Sequence, residues 1–303
     1  MTERVEGASS MRINPSRRDL WNLSPFEARG FEERVVELSD GSRVTVARMG
    51  QGRPLVMVAG LSGGWEWLAP LADRLARRRG LEVWVTSLRG DDSQAQGWLG
   101  GSSRRSMSDY AGDLATVLNR LGLERPTIFG VSFGGAVVLE YAVTWPERLR
   151  GLILQGTEAR FTQPLGARLA RGILERYPLP QDNPFVNQFL RLLFGKAVEA
   201  GPLWEFVVER CWSVEQAELV NRLAALEAFD VSDRLDRIDA PTLVLAGARD
   251  VIVPPSRQKL LAQAIDGADF AVIPDAGHIG FLTHPGPIAH RVADCLNDPV
   301  RFV

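Results

Sequence analysis

Residues 127–142 read TIFGVSFGGAVVLEYA: a short apolar run, one serine between glycines, then an apolar stretch rich in small residues. The run TIFGV has the length and apolarity of a buried strand, and GGAVVLEYAVTWPERL that of a helix. Between them Gly130-Val131-Ser132-Phe133-Gly134 fits G-x-S-x-G, the nucleophile-elbow pattern, in which a serine stands at the tip of a sharp strand-to-helix turn. A residue held there has unfavourable backbone angles, and the flanking segments approach so closely that positions two residues either side must be minimal. Gly135 and Ala136 carry the same requirement into the first turn of the helix. Two readings stand at this point: Ser132 is a nucleophile on a strained turn, or the polar cap of a helix after a glycine turn.

Working outward, the stretch lies in an alternating pattern. FEERVVEL and RVTVARM flank SDGS, whose Asp40-Gly41 pair suits a hairpin turn with positive φ. PLVMVAG (residues 54–60) reads as a strand covered on both faces, WEWLAPLADRLARRRG as a helix with a cationic end and a glycine stop, LEVWVTSL as a strand and MSDYAGDLATVLNRLGL as a helix. LRGLILQG is a further strand. This βαβα order predicts an α/β fold with a doubly wound, mostly parallel sheet and with loops gathered at the strands' carboxyl ends. From about Glu158 to Ile238 the alternation stops and several amphipathic helices follow, which predicts an all-helical cap inserted between late strands. Strand patterns return in PTLVLAGARD and ADFAVIPDAGH, with a last helix in PGPIAHRVADCLN. The expected organisation is a surface arm over 1–30, a first part of the α/β core over 31–157, the cap over 158–238 and the rest of the core over 239–303.

A chain of 303 residues with 45% apolar residues can bury a large core, and a net charge of −2 favours neither nucleic acid nor an anionic membrane. The expected partner is a small molecule, and the expected assembly a monomer or homodimer. No apolar run reaches the roughly 20 residues of a membrane span. The opening MTERVEGASSMRINPSRRDLW lacks the apolar segment of a secretory signal, so a cytoplasmic location is expected. Cys211 and Cys295 lack metal-ligand spacing and read as reduced thiols. Asp91 and Asp92, after Arg89-Gly90, read as solvated turn residues rather than metal ligands. No metal is expected.

A serine hydroxyl needs a base, and imidazole is the usual one. The chain has three histidines, His278, His284 and His290. His290 falls within the final helix and His284 precedes Pro285, whereas His278 lies in a small-residue loop directly after an apolar strand. Asp250 closes LVLAGARD just past another strand and is the expected orienting acid, with Glu158 in ILQGTEARF as second choice. The order Ser132, Asp250, His278 is the order of a triad on this kind of sheet. An oxyanion needs two donors, for which the backbone N–H groups of Phe133, after the serine, and Leu61, after Gly60, are the expected pair.

With these residues in place, the chain resembles the α/β-hydrolase fold superfamily, in its branch with a helical cap. The resemblance rests on GVSFGG, AGLSGG, LRGDDS, GARDVIVP and DAGHIGF and covers about Phe31 to Asn297. It implies hydrolysis through Ser132, His278 and Asp250, an oxyanion hole at Leu61 and Phe133, and no cofactor. The chain departs from the family's frequent His-Gly at Ala59-Gly60 and from its frequent Asp at Ser87. A serine at the nucleophile position argues against the dehalogenase and epoxide hydrolase branches, and AGLSGG lacks the loop associated with proline iminopeptidases.

The function expected is cleavage of a carboxylic ester-type bond in a small, largely apolar substrate, with enol-lactonase or C–C bond hydrolase as alternatives on the same triad. A low-turnover ligand-binding protein retaining the fold is the alternative from another class. Substrate choice should come from the cap aromatics Phe185, Phe189, Phe194, Trp204 and Phe206, and from Trp65 and Trp67 after the oxyanion loop. Of these, Trp65, Phe189 and Trp204 are the substrate-binding residues put forward.

Overall fold

The computed structural model describes residues 30–78, 80–91, 104–161, 165–177, 179, 183–196 and 201–297. The surface arm expected over 1–30 lies outside them except for Gly30, as does Asp92. The chain opens with β1 (Glu32–Glu37) and β2 (Arg43–Gly50), joined at Asp40-Gly41, where Gly41 takes φ +83°. The Asp40 carboxylate closes that turn, accepting from the N–H and hydroxyl of Ser42 at 3.1 and 2.6 Å.

Next come β3 (Gly52–Val58), α1 (Ala69–Ala76), β4 (Gly80–Thr86), α2 (Met107–Leu121), β5 (Thr127–Val131), α3 (Phe133–Thr144) and β6 (Gly151–Gln155). Helix α2 starts from a capping box. Ser106 accepts from the N–H of Asp109 while the Asp109 carboxylate accepts from the N–H of Ser106, and Gly122 ends the helix in the left-handed region.

Four helices follow before the sheet resumes: α4 (Leu165–Arg176), α5 (Pro184–Leu192), α6 (Pro202–Trp212) and α7 (Gln216–Ala228). An isolated bridge between Arg160 and Asp230 brings the two ends of this insertion side by side. The chain closes with β7 (Thr242–Gly247), α8 (Pro255–Ala264), β8 (Asp269–Ile273), the one-turn α9 (Gly280–Thr283) and α10 (Pro285–Leu296).

The eight strands lie in the order β1-β2-β4-β3-β5-β6-β7-β8. Only β2 runs against its neighbours; every pairing from β4 to β8 is parallel. Strand alternation divides the core in two. Val56, Val58 and Ile128 pack with α2 and α3, whereas Leu55, Met57 and Phe129 pack with α1 and α10. Helix α3 has every residue from Phe133 to Val143 buried, so its sequence shows no polar face. Parallel strands place the loops after β3, β5, β6, β7 and β8 along one edge of the sheet, and the insertion leaves from that edge after β6.

Candidate active site

Ser132 stands between β5 and α3 with φ +52° and ψ −119°, one of two non-glycine residues at positive φ among those described. A conformation of this kind costs about 1–3 kcal/mol and persists only where surrounding packing imposes it. That packing is visible in the glycines. A Cβ at Gly134 would come within 2.2 Å of the Ala59 carbonyl oxygen, one at Gly130 within 2.7 Å of the Gly134 oxygen, and one at Gly135 within 2.7 Å of Thr157. The turn is tight because β3, β5 and α3 meet there backbone to backbone.

Ser132 occupies the N-cap position of α3, yet its side chain makes no capping hydrogen bond. Its Oγ lies instead 2.9 Å from Nε2 of His278. The loop after β8 carries His278, whose Nδ1 is 3.0 Å from Oδ2 of Asp250 in the loop after β7. His278 and Asp250 are buried, at 5% and 3% exposure. The carboxylate of Asp250 has its remaining lone pairs occupied: Oδ1 accepts from the N–H groups of Ile252 and Val253, both at 2.9 Å, and Oδ2 accepts from Gln258 Nε2 at 3.2 Å. These donors fix the carboxylate in direction, so that Oδ2 faces Nδ1 of His278 while Nε2 faces the serine hydroxyl. The imidazole passes over Gly156, where a Cβ would sit 3.0 Å from its Cε1.

Gln258 is a member of this site that its sequence does not announce. Fully buried in α8, it donates to Asp250 and to the Val253 carbonyl at 2.7 Å, and accepts from the Gly156 N–H at 2.8 Å. It thereby joins the ends of β6 and β7 beneath the imidazole. A polar residue on the inner side of PSRQKLLAQAI was the available signal.

The other expected residues fall differently. Glu158, second choice as orienting acid, pairs with Arg257 at 3.1 Å and not with His278; burial raises its pKa and Arg257 opposes the rise. His284 lies between α9 and α10, and His290 pairs with Asp294 on an exposed face of α10. Asp91 corrects its expectation. Its side chain is 4% exposed and ion-paired to Arg222 at 2.8 Å, because α7 covers the loop that bears it. Ser87, where the family often has Asp, accepts the Trp65 N–H at 3.1 Å and so anchors the chain leaving the loop after β3.

The described cavity beside Ser132 holds about 200 Å³ and is lined by Gly60, Leu61, Ser62, Gly63, Trp67, Leu190, Leu193, Cys211, Ile252, Ile279 and Phe281 around Ser132 and His278. A second chamber of about 560 Å³ lies among α4–α7 and shares Leu61, Ser62, Leu190 and Cys211 with the first. Its remaining lining is mostly apolar, from Leu174, Leu179, Val186, Trp212, Val214, Leu219 and Leu223. Glu215 is its one charged residue, and among the described lining residues of either space there is no lysine or arginine.

The three substrate-contact residues put forward from sequence line neither space. Trp65 is buried in the core against Phe31, with ring centroids 5.3 Å apart. Phe189 lies on the outer side of α5, 65% exposed, while Leu190 beside it faces the cavity. Trp204 packs on Phe194 and under Arg191. On the inserted helices the helical phase turns mostly aliphatic residues, with Cys211 and Trp212, towards the two spaces. Burial pushes the Cys211 thiol up to about 11, against a weaker opposing effect of Ser62, so it is a protonated wall residue at neutral pH.

Comparison with known proteins agrees with the strand order and the turn. A family model described as alpha/beta hydrolase fold matches residues 53–285. The chain belongs to the α/β-hydrolase fold family. Among curated relatives of this hydrolase, a protein designated as the carbamate hydrolase RutD of Azorhizobium caulinodans is 28% identical over 76% of this chain and 85% of its own length. The pimeloyl-[acyl-carrier protein] methyl ester esterase of Neisseria meningitidis serogroup B is 30% identical over 57% of this chain and 70% of its own length. Among solved structures, a thermophilic esterase from Thermogutta terrifontis superposes with a TM-score of 0.74 at 26% identity, covering 88% of this chain and 98% of that one. The relatives are hydrolases and esterases, which supports a hydrolase. No described helix is long and apolar enough to cross a membrane.

Proposed function

We propose that the protein is a serine hydrolase that cleaves carboxylic esters with an apolar acyl chain through Ser132, His278 and Asp250. The observation that carries this reading is the pair of contacts at His278, 2.9 Å to the Ser132 hydroxyl and 3.0 Å to the Asp250 carboxylate, around a serine held at φ +52°. Nε2 of His278 takes the hydroxyl proton as Oγ attacks the ester carbonyl carbon. The N–H of Phe133, which has no intrahelical acceptor in the first turn of α3, and the N–H of Leu61 stabilise the oxyanion. The tetrahedral adduct then collapses, His278 passes its proton to the leaving alkoxide, and an alcohol departs. Water repeats the sequence: its proton goes to Nε2, its oxygen bonds the acyl carbon, and the acid leaves as the proton returns to Oγ. Asp250 holds the imidazole in the required tautomer and stabilises the imidazolium formed in each half.

The two connected apolar spaces support an acyl chain that runs from Ser132 past Leu190 and Cys211 into the chamber among α4–α7, the helices that act as the cap. The absence of lysine and arginine from the described walls favours an uncharged chain. The test is hydrolysis of p-nitrophenyl acetate, butyrate, octanoate and dodecanoate. The reading expects kcat/KM to rise from acetate to octanoate, loss of all turnover in Ser132→Ala, and selective loss of octanoate turnover in Leu190→Trp, which fills the waist. Undiminished turnover by Ser132→Ala removes the serine mechanism. Equal losses on acetate and octanoate in Leu190→Trp remove the assignment of the chamber.

A further inference from the structure

Among the buried groups that the proposed mechanism leaves unused is a cluster centred on Arg222, which holds the loop that carries Leu61. Arg222 projects from α7 and is fully buried. Its Nη1 donates to the Leu61 carbonyl at 2.6 Å, and its Nη2 to the Arg89 carbonyl at 2.6 Å and to Asp91 Oδ1 at 2.8 Å. Its Nε reaches Glu218 Oε1, one turn earlier, at 3.4 Å. One guanidinium thus clamps the loop after β3 to the loop after β4. Asp91 tightens the clamp. Its Oδ2 accepts the Leu88 N–H at 2.7 Å, and its carboxylate lies so close to Gly63, itself at φ +72°, that a Cβ there would fall 1.7 Å from Oδ1. Any larger residue at position 63 would displace either the carboxylate or the loop.

The other half of the cluster leads to Phe133. Glu218 accepts from the Tyr110 hydroxyl at 2.9 Å and from Arg105 at 3.1 Å. The Tyr110 ring stands edge-on to Phe133, centroids 5.1 Å apart at 90°. Two cations and two carboxylates balance within the cluster, so the buried charge of Arg222 is compensated: burial opposes it, and Asp91 and Glu218 more than offset that penalty. A compensated arginine with all three of its nitrogens hydrogen-bonded is held in one geometry. The peptide groups it holds inherit that constraint.

We propose that Arg222 is a positioning residue for the oxyanion-binding backbone, fixing the Leu61 segment through its carbonyl and, through Glu218 and Tyr110, bracing Phe133. The inference rests on the proposed serine mechanism and extends it: the helical insertion sets the catalytic geometry as well as covering the substrate. Loosening a peptide donor weakens the oxyanion contact formed in the transition state and leaves ground-state binding nearly unchanged.

The experiment compares the full-length chain with Arg222→Met and Arg222→Lys, using p-nitrophenyl acetate, p-nitrophenyl octanoate and a trifluoromethyl ketone that adds to the serine as an oxyanion. Removing an oxyanion donor outright costs about 10²–10³ in kcat, so a misaimed one should cost roughly 10- to 100-fold. The loss is expected to be equal on both esters, with little change in KM, a matching loss of ketone affinity, and partial recovery in Arg222→Lys. Asp91→Asn should show the same split at smaller amplitude, and it decides the matter if Arg222→Met does not fold. A folded variant with unchanged kcat and ketone affinity, or a loss confined to octanoate, overturns the proposal while Ser132-dependent hydrolysis survives. Turnover that persists in Ser132→Ala would instead remove the mechanism on which the proposal rests.

Discussion

At the scale of single residues, the chemistry turns on which carboxylate serves His278. Asp250 and Glu158 both follow sheet strands and both are largely buried, so sequence alone admits either. Their partners separate them: Asp250 faces the imidazole, Glu158 faces Arg257. Asp250→Asn should therefore lower kcat by roughly 10⁴, as loss of the tautomer-fixing carboxylate does in such triads, while Glu158→Gln leaves it within about twofold. Steady-state ester hydrolysis by the two variants checks this, and the reverse ranking would reassign the acid. Glu158→Gln also has a stability signature. Burial raises the folded-state pKa of Glu158 above its unfolded value of 4.5, so the folded state holds that proton more tightly. The resulting stability is present below the unfolded value and is lost as pH rises through the folded one. Denaturant melts from pH 4 upward should show the wild type losing stability relative to Glu158→Gln.

At the scale of elements, the signals that were legible are local ones. The Asp40-Gly41 turn, the glycines around Ser132 and the uninterrupted apolar runs of β3, β5 and β7 each fix one element by its own backbone requirements. The Ser106 cap permits a direct check. Ser106→Ala removes the acceptor for the Asp109 N–H and should destabilise the fold by about 1 kcal/mol without changing kcat, measured by urea unfolding beside ester kinetics. Elements whose role depends on distant partners were not legible. In VEQAELVNRLAALEAF, Glu218 and Arg222 stand four apart, a spacing that suits an ion pair on a helix surface and carries no sign of burial. In the fold that face of α7 lies against the loops after β3 and β4, so the same pair is buried. Asp91 was misread for the same reason: a turn aspartate is solvated unless another element covers it, and the covering helix lies 130 residues along the chain. Phe189 errs in the opposite sense, since aromatic character signals burial on average but not the phase of a particular helix.

At the scale of the whole molecule, a mostly parallel sheet collects the ends of β3, β5, β6, β7 and β8 along one edge, which Leu190, Cys211 and Arg222 of the inserted helices reach. Fold class and the meeting of Ser132, Asp250 and His278 were readable because strand order and residue order along the chain are linked in such sheets, whereas Gln258 beneath the imidazole was not. The walls of the cavity were not, because they arise from contacts between the insertion and the sheet. The proposed catalyst makes a covalent acyl-serine, and intact-protein mass spectrometry followed by peptide mapping tests that claim most directly. Acid-quenched samples taken during turnover of p-nitrophenyl octanoate should gain the mass of one octanoyl group, mapped to the peptide containing Ser132, with none in Ser132→Ala. An acyl group mapped to another residue, or turnover of p-nitrophenyl octanoate that persists undiminished in Ser132→Ala, would contradict the account.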